Sequence, residues 1–216
     1  MFDDRIDAGI RLAEAVKREQ PSRPVVLALP RGGVPVAAEV ARVLNAPLDL
    51  VMVRKLGTPG QAELAMGAVA RCGDATDEIL NEDIVRQLNI PDEAIAEVRE
   101  RELEVIAERE RHYLAGRRRV AVAGRTAIVV DDGVATGATI IAAVRAVRRL
   151  DPRRVILAIP VAPPDTVRKL EREADHVICL EQPSWFGAIS MFYHQFPQTS
   201  DEEVIALLDE LGMHDE

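Results

Sequence analysis

The sequence predicts an α/β fold, a parallel sheet with helices on both faces. Three observations predict it. Short apolar runs fall at residues 25–30, 48–53, 126–131, 154–160 and 176–180. They are continuous rather than alternating, as befits strands buried on both faces. Helical patterns at 34–45, 137–150 and 165–174 follow the first, third and fourth of these runs, which is the rhythm of βαβ units. Three runs also end in residues suited to a ligand, and open parallel sheets bind ligands beyond the carboxyl ends of their strands.

The elements follow in order. Asp4 to Glu19 reads as a first helix with Ile6, Ile10 and Ala13 along one face. Val25 to Pro30 is a buried strand, and Arg31-Gly32-Gly33-Val34-Pro35 turns from it into the next helix. Glycines there let the backbone approach a ligand closely, and the arginine offers a fork of donors for phosphate oxygens. An ordinary glycine turn with a solvated arginine is the plainer reading. Leu48 to Val53 is a second strand ending in Arg54-Lys55, and a basic pair at a strand end is most often a solvated terminus. Leu56 to Gln61 carries two glycines and a proline and is expected to be mobile.

Met66 to Leu80, with a Gly73-Asp74 turn signal, reads as a hairpin. Asn81 to Leu114 is helical and densely charged, with Ile95, Val98, Val105 and Ile106 recurring on one side and Glu97–Arg101 spaced for an i,i+4 pair. Ala127 to Val130 then leads into Asp131-Asp132-Gly133-Val134-Ala135-Thr136-Gly137-Ala138-Thr139 and an amphipathic helix. That loop presents backbone N–H groups, threonine hydroxyls and a helix N-terminus to a phosphate. The two carboxylates would repel a phosphate but accept hydrogen bonds from sugar hydroxyls, so the window is built for a sugar phosphate. No Gly-Lys-Thr/Ser follows the turn and no G-x-G-x-x-G opens a strand–helix unit, which excludes a Walker A loop and leaves a dinucleotide site unsupported. In the tail, Trp185 and Phe186 follow the last strand, and Ser200 to Glu203 is a capping box opening a helix of Val204, Leu207, Leu208 and Leu211.

Composition bounds the function classes. A chain of 216 residues suits one α/β domain with an accessory piece rather than two full domains. The net charge of −9 argues against nucleic acid or an anionic membrane as a general partner. Cys72 and Cys179 have neither metal spacing nor a disulfide framework, which points to a reducing compartment. No apolar signal core or run of 18 apolar residues occurs, so a soluble, cytoplasmic protein is expected.

The window from Ala127 to Thr139 closely resembles the phosphoribosyl pyrophosphate (PRPP) motif of the type I phosphoribosyltransferases, and two further segments match that family. The resemblance implies that Asp131 and Asp132 hold the ribose 2′- and 3′-hydroxyls, and that Ala135, Thr136, Gly137, Ala138 and Thr139 wrap the 5′-phosphate. It implies that Arg31, Gly32 and Gly33 bind the pyrophosphate. It makes Lys55, with Arg54 nearby, the candidate cation at the base of a flexible lid that meets the pyrophosphate, and Lys55, Asp131 and Asp132 the candidate catalytic residues. It further implies a C-terminal hood that grips the acceptor, where Trp185 or Phe186 would stack on a planar base; packing within the hood is the competing reading. Mg²⁺ would be the cofactor, carried largely by the substrate with Asp131 and Asp132 as its possible protein contacts, and a homodimer is usual in the family.

Phe2-Asp-Asp-Arg5, Arg54-Lys-Leu-Gly57 and Gln198-Thr-Ser-Asp-Glu202 are similar to one branch, the predicted phosphoribosyltransferases, which are sometimes fused to hydrolase domains; no fused domain is expected here. The implied organisation is a single domain over 1–216: a core of about 20–60 and 119–180, a lid and helical insertion of about 55–118, and a hood of about 181–212. The implied reaction transfers the 5-phosphoribosyl group of PRPP to a nitrogenous acceptor, with release of pyrophosphate. Where many members carry an acid for the incoming base this chain has Ala135, and Glu63 beyond the lid is a poor substitute. A PRPP- or nucleotide-sensing regulator without turnover is therefore the alternative, and a hydrolase a third reading.

Overall fold

A computed structural model describes residues 1–212, and the statements that follow concern those residues. Strands β1 (Pro24–Ala28), β2 (Leu48–Leu50), β6 (Thr126–Val130), β7 (Arg154–Val161) and β8 (His176–Glu181) form one parallel sheet in the order β2-β1-β6-β7-β8. Each of the five predicted runs contributes a strand to it. Helices α1 (Arg5–Arg18) and α2 (Gly33–Leu44) cover one face, and α5 (Ala138–Arg148) covers the other. The α/β class with helices on both faces is thus the observed one. Helix α6 (Pro164–Leu170) connects β7 to β8. No helix among the described residues is long and apolar enough to cross a membrane.

The second run splits. β2 ends at Leu50, Val51 donates to the carbonyl of Ala28, and the chain then leaves the parallel sheet as β3 (Met52–Thr58). β3 pairs antiparallel with β4 (Gln61–Cys72), and β4 with β5 (Ala75–Leu80), so the expected hairpin across Gly73-Asp74 is present within a three-stranded sheet. The segment expected to be mobile forms the tip of the β3–β4 hairpin. Pro59 and Gly60 fill its two turn positions, with Gly60 at φ +78°, where a proline–glycine pair suits a tight turn.

The charged segment forms two helices, α3 (Glu82–Gln87) and α4 (Asp92–Tyr113). Ile95, Val98 and Ile106 of α4 are buried, whereas Val105 is half-buried. The expected Glu97–Arg101 pair is not formed; Arg101 lies 3.8 Å from Glu102 instead. In α1 the expected face is corrected. Ile6 and Ile10 are about half exposed, while Ala8, Gly9, Leu12, Ala13 and Val16 are buried. The cause is close packing on α2: a Cβ at Gly9 would lie 2.8 Å from the Val36 carbonyl oxygen, so the small residues, not the isoleucines, face inward. The tail after β8 runs through a 3₁₀ turn (Ile189–Phe192), pairs at Tyr193 with Phe2, and ends in α7 (Asp201–Leu211), capped by the Ser200 hydroxyl accepting from the Glu203 N–H.

Candidate functional site

β1 and β6 are neighbours in parallel register, Ala28 opposite Val130, so the loops that leave their carboxyl ends emerge side by side. Arg31-Gly32-Gly33 leaves β1 through a cis Pro30–Arg31 peptide, and Asp131-Asp132 ends β6. The two loops touch. A Cβ on Gly33 would stand 2.9 Å from the Val130 carbonyl oxygen and 3.0 Å from Asp131 Cα. One on Gly32 would overlap Asp132 Oδ2 and lie 2.8 Å from its Cγ. Both glycines are thus required by the approach of the double acid. Two motifs about a hundred residues apart form one surface.

The carboxylates differ. Asp132 is buried, and its Oδ2 accepts from Arg5 Nε at 2.8 Å; the two side chains are 12% and 10% exposed. The guanidinium of Arg5 also lies 3.7 Å over the Phe196 ring and donates to the Pro197 carbonyl at 2.6 Å. Tyr193 Oη donates to the backbone carbonyl of Asp132 at 2.6 Å. Asp131 remains half-buried at the surface of the site, and its Oδ1 accepts from the Asp132 N–H at 2.9 Å.

Burial first, and then the neighbouring Asp132 carboxylate, push Asp131 well above the usual carboxylate range. Burial also raises Asp132, against the pull of Arg5. A carboxyl raised in this way binds its proton more tightly in the folded chain than in the unfolded one. It favours folding at acid pH, and that contribution disappears as pH rises through the folded pKa. Asp131→Asn is therefore expected to raise the ligand-free Tm at neutral pH. The advantage should shrink as pH falls toward the ordinary carboxylate range, and melting curves across that range check it. A variant less stable than the parent at neutral pH would contradict it.

Beyond the double acid, Ala135 to Thr139 form a turn that Gly137, at φ +92°, carries into α5. Thr166 Oγ1 donates to the Ala135 carbonyl at 2.6 Å and holds the turn against α6. Within the described residues the N–H groups of Ala135, Thr136, Gly137, Ala138 and Thr139 donate no hydrogen bond, which leaves five donors at a helix N-terminus that carries no side-chain cap. Such a turn attracts an anion. Thr136, Ala138 and Thr139 line a cleft of about 610 Å³ together with Lys55, Lys169 and the β4–β5 edge. Lys55 and Thr139 also border a second cleft of about 710 Å³ between the hairpin tip and α4. The exposed Lys55 thus shares a cleft with this turn.

The remaining candidates are engaged elsewhere. Arg54 Nε pairs with Glu102 of α4 at 2.8 Å. Arg31 lies 3.5 Å from Asp201, the first residue of α7, whose carboxylate also accepts from Tyr113 Oη at 2.7 Å. Trp185 is 69% exposed. Phe186 stacks on Phe192 at 5.2 Å within an aromatic cluster that includes Phe2 and Tyr193. The tail approaches the double acid through Ile189, whose Cγ2 would be 2.7 Å from a Cβ on Gly133, and through Tyr193. Glu63 is exposed near the hairpin tip. Arg5, Tyr193, Phe196 and Thr166 escaped assignment from sequence because each reaches the site across a long stretch of chain.

Comparison with known proteins places this geometry. The family model "Phosphoribosyl transferase domain" matches residues 3–197. Two Mycobacterium tuberculosis proteins, from strains CDC 1551 / Oshkosh and ATCC 25618 / H37Rv and provisionally named phosphoribosyl transferases, are each 46% identical over 209 residues, 97% of this chain and 46% of theirs. The chain therefore spans about half the length of these curated relatives. The crystal structure of TT1426 from Thermus thermophilus superposes with a TM-score of 0.83 at 42% identity, over 99% of this chain and 100% of that one.

Proposed function

The chain belongs to the phosphoribosyl transferase domain family, and we propose that it is an enzyme that binds PRPP and transfers its 5-phosphoribosyl group to a nitrogenous acceptor, a nucleobase by preference, releasing pyrophosphate. One observation carries this reading. The double acid lies between the glycines of one loop and the donor-rich turn of the next, so groups suited to pyrophosphate, ribose hydroxyls and 5′-phosphate follow one another along a single edge.

In this reading the N–H groups of Ala135 to Thr139 hold the 5′-phosphate and Asp131 and Asp132 accept from the ribose hydroxyls. Their charge favours the cationic sugar that develops as the C1–O bond to pyrophosphate breaks. The Gly32-Gly33 loop, with Arg31, receives the leaving group, and Lys55 comes from the hairpin to meet the phosphates. Arg31 and Arg54 exchange their pairs with Asp201 and Glu102 for substrate oxygens; the Arg31 pair is the more open of the two, and exposed pairs contribute about 0–1 kcal/mol. The acceptor nitrogen then bonds to C1 and gives up its proton to the departing pyrophosphate or to water.

Mg²⁺ would enter with PRPP. Among the described residues no cluster of three or more His, Cys, Asp or Glu is placed to hold an ion, and a hard cation coordinated chiefly by substrate oxygens, touching the protein through Asp131 or Asp132, fits that donor set. When bound, such an ion would offset charge on the departing pyrophosphate.

The test is pyrophosphate release from PRPP and Mg²⁺ across a panel of purines and pyrimidines. Release with one base supports transfer. Ala135, which supplies no acid or base on the acceptor side, favours a second reading, a PRPP sensor without turnover; PRPP binding with no release across the panel would select it. Release without any base would select hydrolysis. Trp185 is the only tryptophan, so its emission is expected to be quenched by the productive base when PRPP is present. A flat titration with the base that supports turnover would assign the ring to the surface. A cytoplasmic homodimer completes the proposal, and sedimentation tests the dimer.

A further inference from the structure

We propose that Arg5 is a positioning residue for the sugar half of the site, holding Asp132 in the orientation that accepts a ribose hydroxyl; this rests on the reading of Asp132 given above. The helix that carries Arg5 precedes the sheet in sequence and contributes no strand, loop or phosphate donor to the edge. Yet the Arg5 side chain crosses to the end of β6 and is nearly enclosed there.

Three constraints fix it. Its Nε donates to Asp132 Oδ2 at 2.8 Å, its Nη1 donates to the Pro197 carbonyl at 2.6 Å, and its guanidinium plane lies 3.7 Å over the Phe196 ring. Planar stacking and forked donors are properties of arginine that lysine lacks. Nη2 lies 3.2 Å from where a Cβ on Gly32 would stand, so the same guanidinium also borders the loop assigned to pyrophosphate. Helix α1, β6, the β1 loop and the tail therefore meet at one side chain.

The consequence is a division of labour. Asp131 has no cationic partner among the described residues and stands partly open to solvent, whereas Asp132 is held by Arg5 through its side chain and by Tyr193 through its carbonyl. An adjacent pair of like charges at a strand end would swing apart if both were free. Arg5 removes that freedom from one of them, leaving a preorganised acceptor, in the way that supporting contacts orient functional side chains elsewhere. The Ala135–Thr139 turn has its own support, the hydrogen bond from Thr166 Oγ1 to the Ala135 carbonyl.

Binding of two probes by Arg5→Gln, Arg5→Lys and the parent separates positioning from general damage. Ribose 5-phosphate engages the turn and the carboxylates together, whereas inorganic phosphate reads the anion donors of the turn and the Gly32-Gly33 loop without calling on the carboxylates. Arg5→Gln is expected to weaken ribose 5-phosphate binding by about ten-fold, the scale of one charged hydrogen bond, with phosphate affinity unchanged. Arg5→Lys should recover part of the loss. The double variant Arg5→Gln, Asp132→Asn should be no weaker than Asp132→Asn alone, since both act through one carboxylate. If Arg5→Gln does not fold, Phe196→Leu, which removes the ring beneath the guanidinium, should show the same selective loss at smaller size. Equal weakening of both probes, or no weakening of either in a folded variant, would overturn the positioning role. A parent protein that binds phosphate but shows no preference for ribose 5-phosphate would instead defeat the ribose assignment itself.

Discussion

Replacing both carboxylates, Asp131→Asn with Asp132→Asn, is expected to abolish the Mg²⁺-dependent thermal stabilisation by PRPP while leaving the protein folded. At a hundred-fold excess over Kd, PRPP should stabilise the parent by about 2.7 kcal/mol. For a chain of this length that is roughly 5–10 °C in Tm. Each hydroxyl-to-carboxylate hydrogen bond is worth about 1.5–3 kcal/mol, so losing the charge on two acceptors removes as much as the ligand supplies. The fold should survive for local reasons. An asparagine in place of Asp132 keeps an oxygen for Arg5 Nε, one in place of Asp131 keeps an oxygen for the neighbouring N–H, and the repulsion between adjacent carboxylates disappears. Thermal shift with and without Mg²⁺ measures this. An undiminished PRPP shift in the double variant would sink the ribose assignment. A loss of the shift together with a collapsed ligand-free Tm would mean that the carboxylates are structural.

The same region shows what a sequence discloses and what it withholds. β1, β6 and β7 were legible because strands buried on both faces must be apolar throughout, and their terminal motifs stand out against that background. The break at Val51 was not: no glycine, proline or charge marks it, and the chain turns there because the edge of the parallel sheet ends. In α1 the eye follows large side chains, yet the tight approach to α2 at Gly9 and Val36 reverses which face is inside. Leu56 to Gln61 reads as mobile from its glycines and proline, but tight turns and loose loops share those residues, and only the pairing of β3 with β4 shows the turn at Pro59-Gly60. The loop motifs at residues 31–33 and 131–139 were legible as chemistry. Arg5 was visible only as part of a resemblance, since nothing local tells a helix-start arginine that its partner lies 127 residues away.

Gly32 supplies the second large effect. Gly32→Ala is expected to lower kcat/KM about 100-fold or more, the scale of an ångström-sized misplacement of a reacting group, and to destabilise the fold by about 2 kcal/mol through overpacking. The argument turns on which atom must yield. The added methyl would overlap Asp132 Oδ2, and that oxygen cannot swing away cheaply because Arg5 holds it and Tyr193 anchors the backbone behind it. Nor can the loop retreat easily, since Gly33 is already in contact with the Val130 carbonyl and the Asp131 Cα. Whichever side moves, the loop proposed for pyrophosphate and the carboxylate proposed for ribose lose their mutual placement. Gly60→Ala is the matched control: at φ +78° it strains the hairpin turn, yet a Cβ there meets nothing within 4 Å. Urea unfolding and PRPP binding measured on both variants separate the two outcomes. Near-parental PRPP affinity in Gly32→Ala would show that the two loops do not act as one surface, and the function proposed from their contact would fall with it.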